Sequence, residues 1–203
     1  MHAHHVGLTL LAVVALACND GSSNPPTAES ASRDDDRVAL SRGGEGQGGG
    51  RSIDIRDDCD PADPAWDPTG GCTLKHGDTD FAEFNALVGS PLSSATVGHP
   101  AWRNEPSYVE VRLGEQVKVT NRGGRLHTLT PVAQFGGGRV PPLNVGLTMA
   151  PECQLAVGAE DPFALPPGES GRLPAMGLGI HRVQCCIHPW MRGLIRVSEH
   201  GGH

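Results

Sequence analysis

HRVQCCIHPWMRGLIRV, residues 181–197, places Cys185, Cys186, His188 and Met191 in one short loop between two strand-like flanks. Adjacent residues of a strand point to opposite faces, so Cys185 and Cys186 cannot comfortably serve one site together. The spacing C-x-x-H-x-x-M selects Cys185, whereas counting from Cys186 leaves a cramped C-x-H.

Outward from this loop the strand signals continue. SYVEVRLGEQVKVTN (Ser107–Asn121) alternates Val109, Val111 and Leu113 with Glu110 and Arg112, turns at Gly114-Glu115, and alternates again at Val117 and Val119. That pattern predicts a half-buried antiparallel pair. RLHTLTPVA, SGRLPAM, GIHRVQCC and MRGLIRVSE are further short strand candidates, separated by glycine and proline. No segment after Tyr108 has helical periodicity. Short strands at this spacing predict an all-β sandwich or barrel.

Residues 52–106 read differently, as an extension packed on that sandwich. CDPADPAWDPTGGC (Cys59–Cys72) is a loop dense in Asp-Pro. TDFAEFNALVG then predicts one short helix with Phe81, Phe84 and Leu87 or Val88 on one face. Thr79 or Asp80 caps it, Glu83 completes a capping box and Gly89 ends it.

Further upstream, Asn19–Arg51 is rich in Ser, Gly, Pro and acid and poor in large apolar groups, so residues 18–51 are expected as a flexible tether. Before it, VGLTLLAVVALA (Val6–Ala17) is too short for a comfortable membrane span and suits the core of a signal peptide over residues 1–17. The ALAC ending resembles a bacterial lipobox, which implies lipidation at Cys18. The expectation is an exported protein of the periplasm or cell surface, held to the membrane through the Cys18 lipid only. The n-region MHAHH departs from the usual signal in having no Lys or Arg. A length of 203 residues allows one domain plus tails. The net charge of −7, with no basic stripe, argues against a nucleic-acid partner.

Thiolate, imidazole and thioether are soft or borderline donors, the set that suits copper rather than magnesium or calcium. A trigonal copper site with a weak axial methionine needs a second imidazole. His127, in NRGGRLHTLT just past a Gly-Gly turn, is the candidate supplier. His181 is expected to pack from its strand, Met149 and Met176 to fill gaps, and His76, His99, His200 and His203 to face solvent.

This constellation resembles the blue copper proteins, or cupredoxins, of the plastocyanin, pseudoazurin and amicyanin kind. CCIHPWM looks most like amicyanin's short ligand loop, and NRGGRLH resembles the Asn-to-His stretch ahead of the first ligand. GIHRVQC resembles the strand entering the ligand cysteine, with His181 where an aromatic is usual. The resemblance covers roughly Ser107–Ser198 and implies a Greek-key β-sandwich over residues 107–199 and single-electron transfer. It implies one copper ion in a type 1 site, with His127, Cys185, His188 and Met191 as ligands. Asn121 is expected to tie the His127 segment to the loop, unless it is a simple turn residue. Redox partner proteins are expected to dock near His188, with Trp190 packed over that ring, and the protein is expected to be a monomer.

With Cys18 given to lipid and Cys185 to copper, Cys59, Cys72, Cys153 and Cys186 remain. Three pairings are open; the expected one is Cys59 with Cys72 and Cys153 with Cys186. A copper oxidase or nitrite reductase would need further histidines flanking the cysteine or paired as H-x-H. Gln184 and Cys186 flank Cys185 here, so no enzyme is expected. A copper storage or delivery lipoprotein with the same ligands is the alternative.

Overall fold

The computed structural model describes residues 51–89, 98–156 and 158–200. The expected signal segment, Cys18 and the tether up to residue 50 lie outside the described residues, as does His203. Among the described residues no helix is long and apolar enough to cross a membrane.

The chain forms an all-β Greek-key sandwich. Its strands are β1 (Ser52–Arg56), β2 (Arg103–Glu105), β3 (Tyr108–Arg112), β4 (Lys118–Asn121), β5 (His127–Thr128), β6 (Thr130–Val132), β7 (Ala164–Leu165), β8 (Ser170–Arg172), β9 (Gly179–Gln184) and β10 (Arg192–Ser198). One sheet runs β2-β1-β4-β8, the other β3-β10-β9-β6, and β5-β7 is a two-stranded ribbon. The inward faces follow directly from the alternation. Ile53, Ile55, Val109, Val111, Val117, Val119, Val183, Ile195 and Val197 are all buried in one core. Each such side chain contributes about 1.5–3 kcal/mol over its exposed state.

Two expectations are corrected. Val109–Val111 and Val117–Val119 do not pair with each other: β3 runs parallel to β10, and β4 lies between β1 and β8. The turn at Gly114 (φ +87°) carries the chain from one sheet to the other, because alternation sets the buried face of a strand but not its neighbour. Nor is the 52–106 stretch merely packed on the sandwich. It supplies β1 and β2, with Ile55 of β1 in register with Asn121 of β4, and it shares one unit (Asp36–His203) with the rest.

The helix forms as its sequence demands. α1 (Phe81–Val88) starts at Asp80, whose carboxylate accepts the Glu83 N–H at 2.7 Å, and Gly89 ends it. Phe84 and Val88 are buried, whereas Leu87 is 41% exposed. Phe84 meets Trp66 and Trp102 at ring distances of 5.3 and 4.7 Å.

Candidate metal centre

β9 ends at Gln184 and β10 begins at Arg192, so Cys185–Met191 is the hairpin loop between antiparallel partners. The loop is closed by the Cys185 N–H on the Met191 carbonyl and the Met191 N–H on the His188 carbonyl, both at 3.0 Å. On the other side of β9, Thr130 of β6 is in register with Gln184. That pairing carries His127, three residues before Thr130, to the cysteine.

The result is a group of three buried donors whose ligating atoms all lie within 4.8 Å of one another. His127 Nδ1 is 3.9 Å and His188 Nδ1 is 3.8 Å from Cys185 Sγ. The sulfur also lies 3.4 Å from the Thr128 N–H and 3.5 Å from the His188 N–H, both donating to it. Among the described residues Cys185 is the free cysteine.

The electrostatics favour a thiolate even without an ion. Burial pushes the Cys185 thiol up, but hydrogen bonds from His127 and His188 and their charge outweigh it and hold the thiol well below its ordinary range. Burial likewise disfavours a charged His127, yet its bonds to Asp57 and Cys185 push its pKa up to about 9. His188 goes the other way: burial lowers its pKa, against the pull of Cys185. Burial raises the Asp57 carboxyl, and the contact with His127 overrides this and holds it below the usual range.

These donors fit one shared first-row ion. Bonds of about 2.3 Å to sulfur and about 2.0–2.1 Å to nitrogen place S and N about 3.6–3.8 Å apart, for angles from tetrahedral to trigonal. The separations of 3.8 and 3.9 Å match. Met191, 1% exposed, lies in the same core cluster as Cys185. A buried thiolate, two imidazoles and a thioether suit copper among the common ions.

The other predicted residues fall as follows. Cys59 is bonded to Cys72 and Cys153 to Cys186. Asn121 is fully buried, but its bonds do not reach the 185–191 loop. Its side-chain N–H groups donate to the carbonyls of Arg125 (2.7 Å) and Leu165 (2.8 Å), and its Oδ1 accepts from the Gly123 N–H (2.9 Å). It therefore holds the turn that leads into β5. Thr128 makes the tie to the loop instead: its Oγ1 accepts the Cys186 N–H at 2.8 Å.

His188 is not an open edge. Only 5% exposed, its ring lies 5.5 Å from Trp190 and 6.4 Å from both Phe84 and Trp102. His99, expected in solvent, is buried in the same cluster, 4.9 Å from Trp102 and 3.7 Å from a Glu83 carboxylate oxygen. His76 and His200 are exposed, and the half-buried His181 bonds the Gly177 carbonyl at 2.7 Å.

Sequence reasoning also missed Asp57, whose carboxylate is 2.7 Å from His127 Nε2. The signal was present: the alternation of Ile53 and Ile55 in β1 runs on to Asp57 just past its end, and all three are buried.

A sandwich that delivers two imidazoles and a thiol to one point, from a hairpin loop and a neighbouring strand, decides the comparison. The fold and the donor set are cupredoxin-like. No protein-family model matches the sequence, and no curated protein matches it. Among solved structures, the chain is similar to a purple cupredoxin from Nitrosopumilus maritimus, at 19% identity over 73% of this chain and 99% of that one, with a TM-score of 0.38. It is also similar to an oxidised amicyanin variant, at 14% identity over 79% and 93% of the two chains, TM-score 0.38. A reduced amicyanin variant gives 21% identity over 46% and 71%, TM-score 0.31. The cupredoxin-like assignment rests on the strand arrangement and the donors themselves.

Proposed function

We propose that this protein is a mononuclear type 1 copper electron carrier, exported and anchored through a lipid on Cys18. One observation carries the reading: a buried free thiol, faced at 3.9 and 3.8 Å by two imidazole nitrogens. His127, Cys185, His188 and Met191 would hold the ion, and copper when bound supplies a one-electron couple. Cys185 would supply the thiolate and with it a covalent path for the electron, His127 and His188 two imidazole nitrogens, and Met191 a thioether. The loop needs little rearrangement, because Pro189 and the two backbone bonds that close it fix its shape before any ion arrives. The N–H groups of Thr128 and His188 offset the charge on the sulfur.

The reading is of a carrier rather than an enzyme, since all four donors are buried away from any substrate. A redox partner docks over Trp190, the half-buried ring against His188. The acidic chain, at −7, steers a basic partner. Two disulfides suit an oxidising compartment, as an exported protein requires.

The test is the visible spectrum of the oxidised copper-loaded protein beside Cys185→Ser. An intense thiolate-to-copper band, absent from the variant, is expected. No such band in the wild type, or its survival in the variant, overturns the proposal. Slow release of copper to a chelator with fast electron exchange separates a carrier from a delivery protein.

A further inference from the structure

Asp57 is a buried charge that the four-ligand description leaves out. It lies just beyond β1, with its side chain fully buried. Its Oδ2 is 2.7 Å from His127 Nε2 and accepts the Arg125 N–H at 3.1 Å; its Oδ1 accepts the Gly124 N–H at 2.9 Å. A carboxylate out of water requires such a set of donors.

The surrounding chain is built around this group. A Cβ on Gly123 would collide with the Asp57 carboxylate, and one on Gly124 would lie 2.8 and 2.9 Å from the sulfurs of Cys59 and Cys72. The Arg125 guanidinium bonds the carbonyls of Gly71 and Thr69 and sits 4.7 Å over Trp66. The Gly-Gly turn ahead of His127 is thus clamped between Asp57 and the disulfide loop.

We infer that Asp57 is a positioning residue of the metal centre: it holds the Nε2 proton of His127, so that Nδ1 faces the ion, and sets a negative charge behind the ring. The inference rests on the copper reading above. Its carboxylate favours the more highly charged oxidised ion, which raises Cu(II) affinity and keeps the midpoint potential down. Loss of such an outer partner of a metal-bound histidine costs about 10–100-fold in affinity. Falling on the oxidised ion alone, that loss raises the potential by about 60–120 mV, at 59 mV per tenfold for one electron.

The experiment compares Asp57→Asn, which keeps the shape and removes the charge, with Asp54→Asn. The control removes the same charge from β1, where Asp54 pairs with Arg56 and Arg122 at 3.4 and 3.0 Å. Asp57→Asn is expected to keep the thiolate band, lose 10–100-fold in Cu(II) affinity and gain potential, while Asp54→Asn stays within twofold. An Asp57→Asn potential within about 18 mV of wild type, a twofold ratio on the same scale, overturns the role of Asp57. Nitrogen NMR of the reduced wild-type copper protein decides the matter should the variant not fold. A proton on His127 Nε2 with the metal on Nδ1 is expected, and the reverse overturns the inference. A wild type without the thiolate band instead refutes the copper reading itself.

Discussion

The adjacent cysteines make opposite predictions, and the double variant Cys153→Ala/Cys186→Ala tests them. The bridge joins positions 33 apart, so it closes a loop whose chain entropy in the unfolded state is worth about 3.8 kcal/mol in the loop-closure model. At about 2–4 °C per kcal/mol for a chain of this size, Tm falls by about 8–15 °C. The site itself should survive. The Gly136 N–H still donates to Gln184 Oε1 at 3.0 Å, and the Arg139 N–H to the residue-186 carbonyl at 2.7 Å, so the 133–163 insert keeps its ties to the end of β9 and to the ligand loop. Cys185 and its imidazoles are untouched. The assay is thermal unfolding of the metal-free protein, with the visible spectrum of the copper-loaded form. A folded double variant that has lost the thiolate band would assign the ligand to Cys186 and refute the choice made here. An unchanged Tm would show that the bridge is not closed in the protein.

Gly98→Ala puts a Cβ into the Trp190 ring at a backbone φ of +58°, and overpacking of this kind costs about 1–3 kcal/mol. Urea unfolding should show that loss, with altered Trp fluorescence as Trp190 leaves His188. Thr128→Val removes the acceptor for the buried Cys186 N–H, at about 1–3 kcal/mol in the same assay. Its own N–H still donates to Cys185, so the thiolate band should remain. Burial lowers the pKa of His99, against the raising pull of Glu83 and Asp78. The fold therefore favours the neutral ring, and this contribution is complete above the unfolded value of about 6.5 and lost as pH falls through the folded one. Stability measured from pH 7 to 4 should decline less in His99→Gln than in wild type; an identical decline would refute the assignment.

The ligand loop, the His127 arm, the strand faces and α1 were legible because each is written locally, in spacing or alternation. Strand partners were not. Val109 and Val119 show which way they point, yet nothing in their alternation says that β3 joins β10 or that β4 joins β1. Asp57 was hidden for a related reason. Its face is given by Ile53 and Ile55, but its meeting with His127 depends on a parallel pairing across 66 positions, Ile55 to Asn121. His99 looked exposed because its cover, Phe84 and Trp102, comes from α1 and from the lead into β2, which only the folded chain assembles.

The Cys-Cys dipeptide carries a hazard during maturation. Cys153 must capture the second thiol of the pair and spare the first, a choice between neighbours separated by one peptide bond. An error would consume the sulfur needed for the ion and leave a correctly shaped but inert molecule. The folded loop supplies the safeguard, since it turns Cys186 toward the insert and Cys185 inward between two rings. The hairpin therefore has to form before oxidation is finished, and an ion that arrives early would shield Cys185 from the wrong bond.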